Sequence, residues 1–118
     1  MKKKTMMLYN IIFLCCLYIV IALVFSLIYI LLDDLNLGFI KDHYSSFLHQ
    51  QQSLDKWTRS FYFSVTTLFS VGYGDLTPFG LSKGIAIIES LIGYVLPYVI
   101  VLNYILYNPK FFRKNLHK

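Results

Sequence analysis

Charge is scarce in this chain and unevenly placed. Only 14% of residues are charged, where a soluble domain carries about a quarter. No charged residue occurs between Lys4 and Asp33. Acids are missing from the first fifteen positions and from everything after Tyr107. Cysteine is almost missing too. Cys15 and Cys16 are adjacent inside an apolar run, without a third cysteine to pair with. They read as two small apolar helix residues and not as a disulfide framework or metal site. The sequence also lacks a nucleophile–base pair, a metal cluster and a phosphate loop. Gly72-Tyr73-Gly74 alone is not a nucleotide fingerprint, because no strand precedes it and no polar helix follows. These absences argue against an enzyme and imply no cofactor. The net charge of +5 gathers at the two ends and makes no stripe on a polar surface, so nucleic acid is not the expected partner.

What remains is apolar and aromatic: 57% and 18% of residues, with a mean hydropathy of +0.58. Ile11 to Leu32 is 22 residues, about 33 Å of helix, enough to cross a bilayer core of about 30 Å. Met1-Lys2-Lys3-Lys4 has the look of a signal-peptide start, but the apolar run is too long and no small-x-small cleavage site follows. A second apolar run extends from Ile85 to Tyr107 and contains Gly93, Pro97 and one acid, Glu89. Proline inside a span removes a backbone hydrogen bond and bends the helix. Gly93 either loosens the same turn as a hinge or lets another helix pack closely.

The charge pattern sets an orientation. Three lysines lead the first span, and Lys110, Arg113, Lys114 and Lys118 follow the second. Between the spans, Asp33, Asp34, Asp42, Asp55 and Asp75 face Lys41, Lys56, Arg59 and Lys83. Basic flanks mark the cytoplasmic side, so the chain is expected in a cell membrane with both termini cytoplasmic and the middle outside. Tyr104, Tyr107, Phe111 and Phe112 beside Lys110 and Arg113 read as an interfacial belt in contact with lipid headgroups.

The middle has two textures. Asn36 to Ser53 is polar and mixed, an exposed loop with room for a helical turn. His43 and His49 are six apart, so they do not share a helix face for a metal. Solvent-exposed histidines are the expectation, with pH sensing open. Trp57 to Phe69 turns aromatic and predicts a helix of about 20 Å, too short to span, with Ser53 or Asp55 as its N-cap.

Such a helix would enter from outside and stop part-way, its carbonyl end carrying partial negative charge toward the membrane centre. The chain then has to climb back out. Non-helical backbone at that depth is tolerated only when protein buries it or a watery path faces it. Ser70-Val71-Gly72-Tyr73-Gly74-Asp75 occupies this stretch. Carbonyls aimed successively at one axis require alternating right- and left-handed backbone, which suits Gly72 and Gly74. Val71 and Tyr73 would turn into the protein, Tyr73 against Tyr62 and Phe63. Ser70 offers a hydroxyl below the carbonyls, and Asp75 places negative charge at the outer mouth. One chain cannot encircle an ion, whereas fourfold symmetry can.

The stretch Thr66-Thr67-Leu68-Phe69-Ser70-Val71-Gly72-Tyr73-Gly74-Asp75 resembles the signature of the potassium-channel family, in its minimal two-helix, one-pore-loop type. The resemblance runs over nearly the whole chain. It implies an all-α membrane protein, two spans with a re-entrant pore helix, assembled from this subunit and three identical ones. The implied segments are an outer helix over 8–32, an extracellular turret over 33–56, a pore helix over 57–69, a filter over 70–75, an inner helix over 84–107 and a basic cytoplasmic tail over 108–118. It further implies passive conduction of K+, held by Ser70, Val71, Gly72, Tyr73 and Gly74, with support from Asp75, Thr66, Thr67 and Tyr62.

Three departures from the family pattern stand out. Serine replaces the usual threonine at position 70 and loses the methyl that restrains the rotamer, which predicts a less rigid innermost site. Position 66 carries a hydroxyl where some relatives carry an acid, so a bond from Tyr62 or Thr66 to Asp75 would have to clamp the filter. Gly93 lies about one residue short of the family's hinge glycine. Glu89 is either paired or tied to conduction, since a carboxylate within a span is costly. Asn103 either lines the pore or bonds a neighbouring helix. Without an arginine-rich segment, the gating stimulus is not written in the sequence. A non-conducting membrane subunit is the competing reading, and the intact filter argues against it.

Overall fold

A computed structural model describes residues 2–107 and 109–116, without the side chains of Pro109, Phe111, Phe112 and Asn115. The expected interfacial belt therefore lies partly outside the described residues, as does Lys118 of the basic tail. Two long helices dominate: α1 at Lys2–Asp34 and α4 at Leu81–Tyr107. Between them come β1 (Gly38–Asp42), α2 (Phe47–Gln50), α3 (Ser53–Leu68) and β2 (Leu76–Gly80). A final helix, α5, covers Pro109–Leu116.

Both long helices exceed the length a membrane requires, with peak mean hydropathies of 3.1 and 2.2. They run about 50 and 40 Å at 1.5 Å per residue. Most of their apolar side chains are exposed in the single chain, Phe13, Leu23, Leu31, Ile87, Leu91 and Tyr98 among them. A core helix of a soluble protein would bury such residues; the hydrocarbon of a membrane suits them instead.

What α1 buries is one narrow stripe: Tyr18, Ala22, Ser26, Tyr29 and Ile30. The spacing of four, four and three keeps the first four on one helix face, with Ile30 beside them. The facing stripe of α3 is Ser60, Phe63, Ser64 and Leu68. Small residues at the crossing let the backbones approach closely. Two apolar clusters close the gaps. Tyr18, Ala22 and Leu68 pack with Phe61, Val65 and Leu96, and Tyr29, Ile40 and Phe63 pack with Phe25, Leu76 and Ile85. The third stripe, on α4, is Ser82, Glu89 and Gly93.

Several expectations change here. The turret is not a plain loop, because β1 pairs antiparallel with β2 from Gly38↔Gly80 to Asp42↔Leu76. Phe39 stacks on Phe79 at 4.9 Å. These strands are the departure from an all-α fold. Pro78 sits in β2, which a two-stranded ribbon tolerates because proline can face its open edge. The short helix starts at Ser53 and not at Trp57. Its N-cap is Gln52, which makes no side-chain capping bond, so neither Ser53 nor Asp55 caps it. Asp55 instead accepts from Arg59 Nη1 at 2.5 Å one turn on. Lys56 pairs with Asp33 and Asp34, tying the start of α3 to the end of α1. α4 begins at Leu81, three residues before the expected start, and continues through Pro97.

Candidate functional site

The end of α3 and the loop after it form one hydrogen-bonded unit. Phe69 N–H donates to Val65 O at 3.0 Å and Ser70 N–H to Thr67 O at 3.1 Å. The Thr66 carbonyl then accepts twice, from Val71 N–H at 2.9 Å and Gly72 N–H at 3.3 Å. The loop's first amides are thus tied back to the helix end. Among the described residues, the carbonyls of Ser70 to Gly74 accept no hydrogen bond. The stretch is exposed in the single chain, so these carbonyls are open to a partner from outside it.

Backbone handedness alternates through the same stretch. Ser70 has φ +58°, Gly72 +51° and Gly74 +82°, while Val71 and Tyr73 between them do not take positive φ. Glycine adopts this region without penalty. Serine does not, and strained non-glycine residues gather at functional sites. The glycine positions were readable from sequence; the strain at Ser70 was not.

The side chains around the loop divide. Tyr73 stacks on Tyr62, with centroids 6.4 Å apart and planes 14° apart. Phe63 is not part of that stack, since it meets Tyr29 edge-on at 5.2 Å on another face of α3. Tyr73 stays 70% exposed in the single chain despite that stack, and Val71 is 51% exposed. Phe69 is held from α1 by a stack on Tyr18 at 5.1 Å. Thr66 does not reach Asp75, because its hydroxyl donates to Phe63 O at 3.1 Å within its own helix. Asp75 Oδ1 accepts from Leu76 N–H at 3.1 Å, and its carbonyl accepts from His43 N–H at 3.0 Å. Tyr62 and Asp75 line one outer depression together with Asp42, Thr58 and Arg59. His43 is exposed and bonds Thr77 Oγ1 at 2.6 Å, whereas His49 lies 3.1 Å from Asp55.

Behind the loop, α4 grips α3 at two points one turn apart. At Gly93 the backbones nearly touch: an added Cβ would stand 1.8 Å from Leu68 O. Pro97 lacks the N–H that would bond the Gly93 carbonyl, so the same turn is also short of one helix bond. At Glu89 the contact is polar. Glu89 is fully buried. Tyr29 OH donates to its Oε2 at 2.6 Å, and Ser64 Oγ touches its Oε1. Ser64 Oγ also lies 2.8 Å from Ala22 O. Ser64, Tyr29 and Ala22 did not stand out in the sequence as site residues. Their signal was small residues spaced by four on two helices. Asn103 is exposed on the single chain.

Comparison with known proteins accords with this geometry. A family described as "Ion channel" (Ion_trans_2) matches residues 13–107, from within α1 to the end of α4. The chain is 60% identical over 42 residues to Protein LctB of Bacillus caldotenax, and equally to Protein LctB of Geobacillus stearothermophilus. Each match covers 36% of this chain and 31% of the relative. No solved structure matches. With the two spans and the match over most of its length, the chain belongs to the two-helix ion channel family.

Proposed function

We propose that this chain is one subunit of a homotetrameric, potassium-selective channel. The observation that supports it most is the loop from Ser70 to Gly74. Its first amides are bonded back to Thr66 and Thr67, φ is positive at every second residue, and its carbonyls are exposed and accept no bond from the described residues. Four such loops around an axis would present rings of carbonyl oxygens. Each ring is neutral overall yet negative toward the ion, and together they replace the hydration shell of K+. Ser70, Val71, Gly72 and Tyr73 supply the rings, Ser70 adds its hydroxyl, and K+ is the cargo. The carbonyl end of α3 adds a favourable field for a cation below them. Asp75 concentrates cations at the outer mouth. Both termini face the cytoplasm, α4 lines the inner pore, and Gly93 with Pro97 is the weak turn where it would bend.

Recording from purified protein in a planar bilayer, with K+ on one side and Na+ on the other, tests this reading. The reversal potential should lie far toward the K+ equilibrium value. Reversal near zero would make the chain a nonselective cation channel. Silence, with no barium-sensitive K+ flux into liposomes, would favour a non-conducting subunit.

A further inference from the structure

Three oxygens lie in a row across three helices: the Ala22 carbonyl of α1, the Ser64 hydroxyl of α3 and Oε1 of Glu89 on α4. Both contacts in the row are at hydrogen-bond distance, and two full hydrogen bonds there take two protons. The carbonyl brings none and the serine brings one. The second proton has to come from Glu89. Tyr29 OH sits on the other carboxyl oxygen, Oε2, and donates to it.

We infer that Glu89 is held as a neutral carboxylic acid, donating through Ser64 to the Ala22 carbonyl, and that it is the positioning residue fixing α3, with its filter end, between the two membrane helices. With this assignment every hydrogen in the cluster has an acceptor. An ionised Glu89 would instead draw the Ser64 proton to itself. It would leave Ser64 Oγ and Ala22 O facing each other at 2.8 Å with no proton between them.

The surroundings favour the neutral form. No cation among the described residues pairs with Glu89. Arg59 is taken by Asp55, Lys56 by Asp33 and Asp34, and Lys83 lies over the Phe79 ring at 5.7 Å. Tyr29 and its partner Phe63 are packed in apolar side chains, Phe25, Ile40, Leu76 and Ile85. A buried carboxylate with no counter-charge in such a place is costly, and neutralisation is the usual escape.

The location gives the acid its consequence. Ser64 lies two residues before Thr66, whose carbonyl anchors Val71 and Gly72. One turn along α4, Gly93 meets Leu68 O. Glu89 therefore sets where the helix end stands relative to α1 and α4. The filter side of this proposal rests on the channel reading above; the protonation state does not.

Glu89 is the sole glutamate in the sequence, so carbon-13 label in glutamate reports it alone. Infrared spectra of labelled protein at neutral pH should show a carboxylic-acid carbonyl band that shifts with the label and vanishes in Glu89→Gln. A labelled carboxylate band in its place would overturn the assignment. Stability gives a second readout. Glu89→Gln keeps a neutral donor for Ser64 and an acceptor for Tyr29, so its thermal midpoint should stay near that of the wild type. Glu89→Ala should fall by on the order of 5–10 °C. If glutamine proved as damaging as alanine, the neutral acid would not be what the site uses. Neither readout needs conduction. A silent channel with the acid band present would sink the channel reading alone, and a conducting channel without the band would sink this one alone.

Discussion

Replacing Gly93 by alanine puts a methyl where the Leu68 backbone already stands. The new Cβ would lie 1.8 Å from Leu68 O, 2.7 Å from its carbonyl carbon and 3.1 Å from its Cα. Ordinary contact begins at 3.4 Å, so α3 and α4 must part by about 1.6 Å here. The obstacle is main chain, and no rotamer change relieves it. Overpacking of a fitted interior costs about 1–3 kcal/mol. Alanine offsets about 1 kcal/mol of that through its better helix propensity. A clash with main chain belongs at the upper end of that range, so the steric effect should win, for a net loss of about 2 kcal/mol per chain and a midpoint lower by about 5 °C or more. Leu68 is two residues from Ser70, and the same helix end anchors Val71 and Gly72 through Thr66. K+ over Na+ selectivity should therefore weaken along with stability. Fluorescence of Trp57, the sole tryptophan, follows unfolding of the purified protein, and reversal potentials follow selectivity. A variant with the wild-type midpoint and wild-type selectivity would refute the packing argument. An unchanged midpoint with altered open probability would instead move Gly93 to the hinge role.

Gly74→Ala should behave differently, because nothing lies within 4 Å of an added Cβ there and the penalty comes from φ +82° alone. A left-handed alanine costs about 1–2 kcal/mol, so the protein should still fold and purify while single-channel K+ current is lost. Asp55→Ala should lower the midpoint more than Asp33→Ala. The Arg59–Asp55 side chains are only 9% and 12% exposed and breaking a buried pair costs about 3 kcal/mol or more, whereas Lys56 keeps Asp34 when Asp33 is lost. The hydrogen bond to Asp34, with Asp33 nearby, holds the Lys56 ammonium above the usual lysine range against the opposing effect of burial. A raised lysine stabilises the fold fully below its unfolded value of about 10.4 and loses that contribution as pH climbs through the folded one. Midpoints measured against pH should stay level near neutrality and decline in alkali, and Lys56→Met should show a smaller decline.

The two spans were legible because their signal is long and redundant: a run of 22 uncharged residues from Ile11, of which only Ser26 is polar, survives any local exception. The left-handed glycines were legible because few residues can do what Gly72 and Gly74 do. The strands were not. β1 is five residues with a lysine and an aspartate, and β2 contains Pro78, which argues against a strand. Only their pairing, 38 residues apart in sequence at its middle, Ile40↔Pro78, makes them a sheet. Glu89 was legible as an anomaly, but its partners were not. Ser64 and Ala22 are unremarkable letters until three helices bring them together. Phe63 was misassigned for a related reason. It is one position from Tyr62, and on a helix adjacent residues point about 100° apart, so the two could not both brace Tyr73.

The paired strands also bear on how this protein can be altered. They pin residues 38–42 to 76–80, and the His43–Asp75 bond extends the seam by one step. Everything between is a closed loop with its neck already fastened. Lengthening a fastened loop costs little, about 0.6 kcal/mol for each doubling. The solvent-facing arc around Tyr44, which is 87% exposed, is therefore the place to graft an epitope or a fluorescent label. Such an insertion should reach solution without loosening the seam.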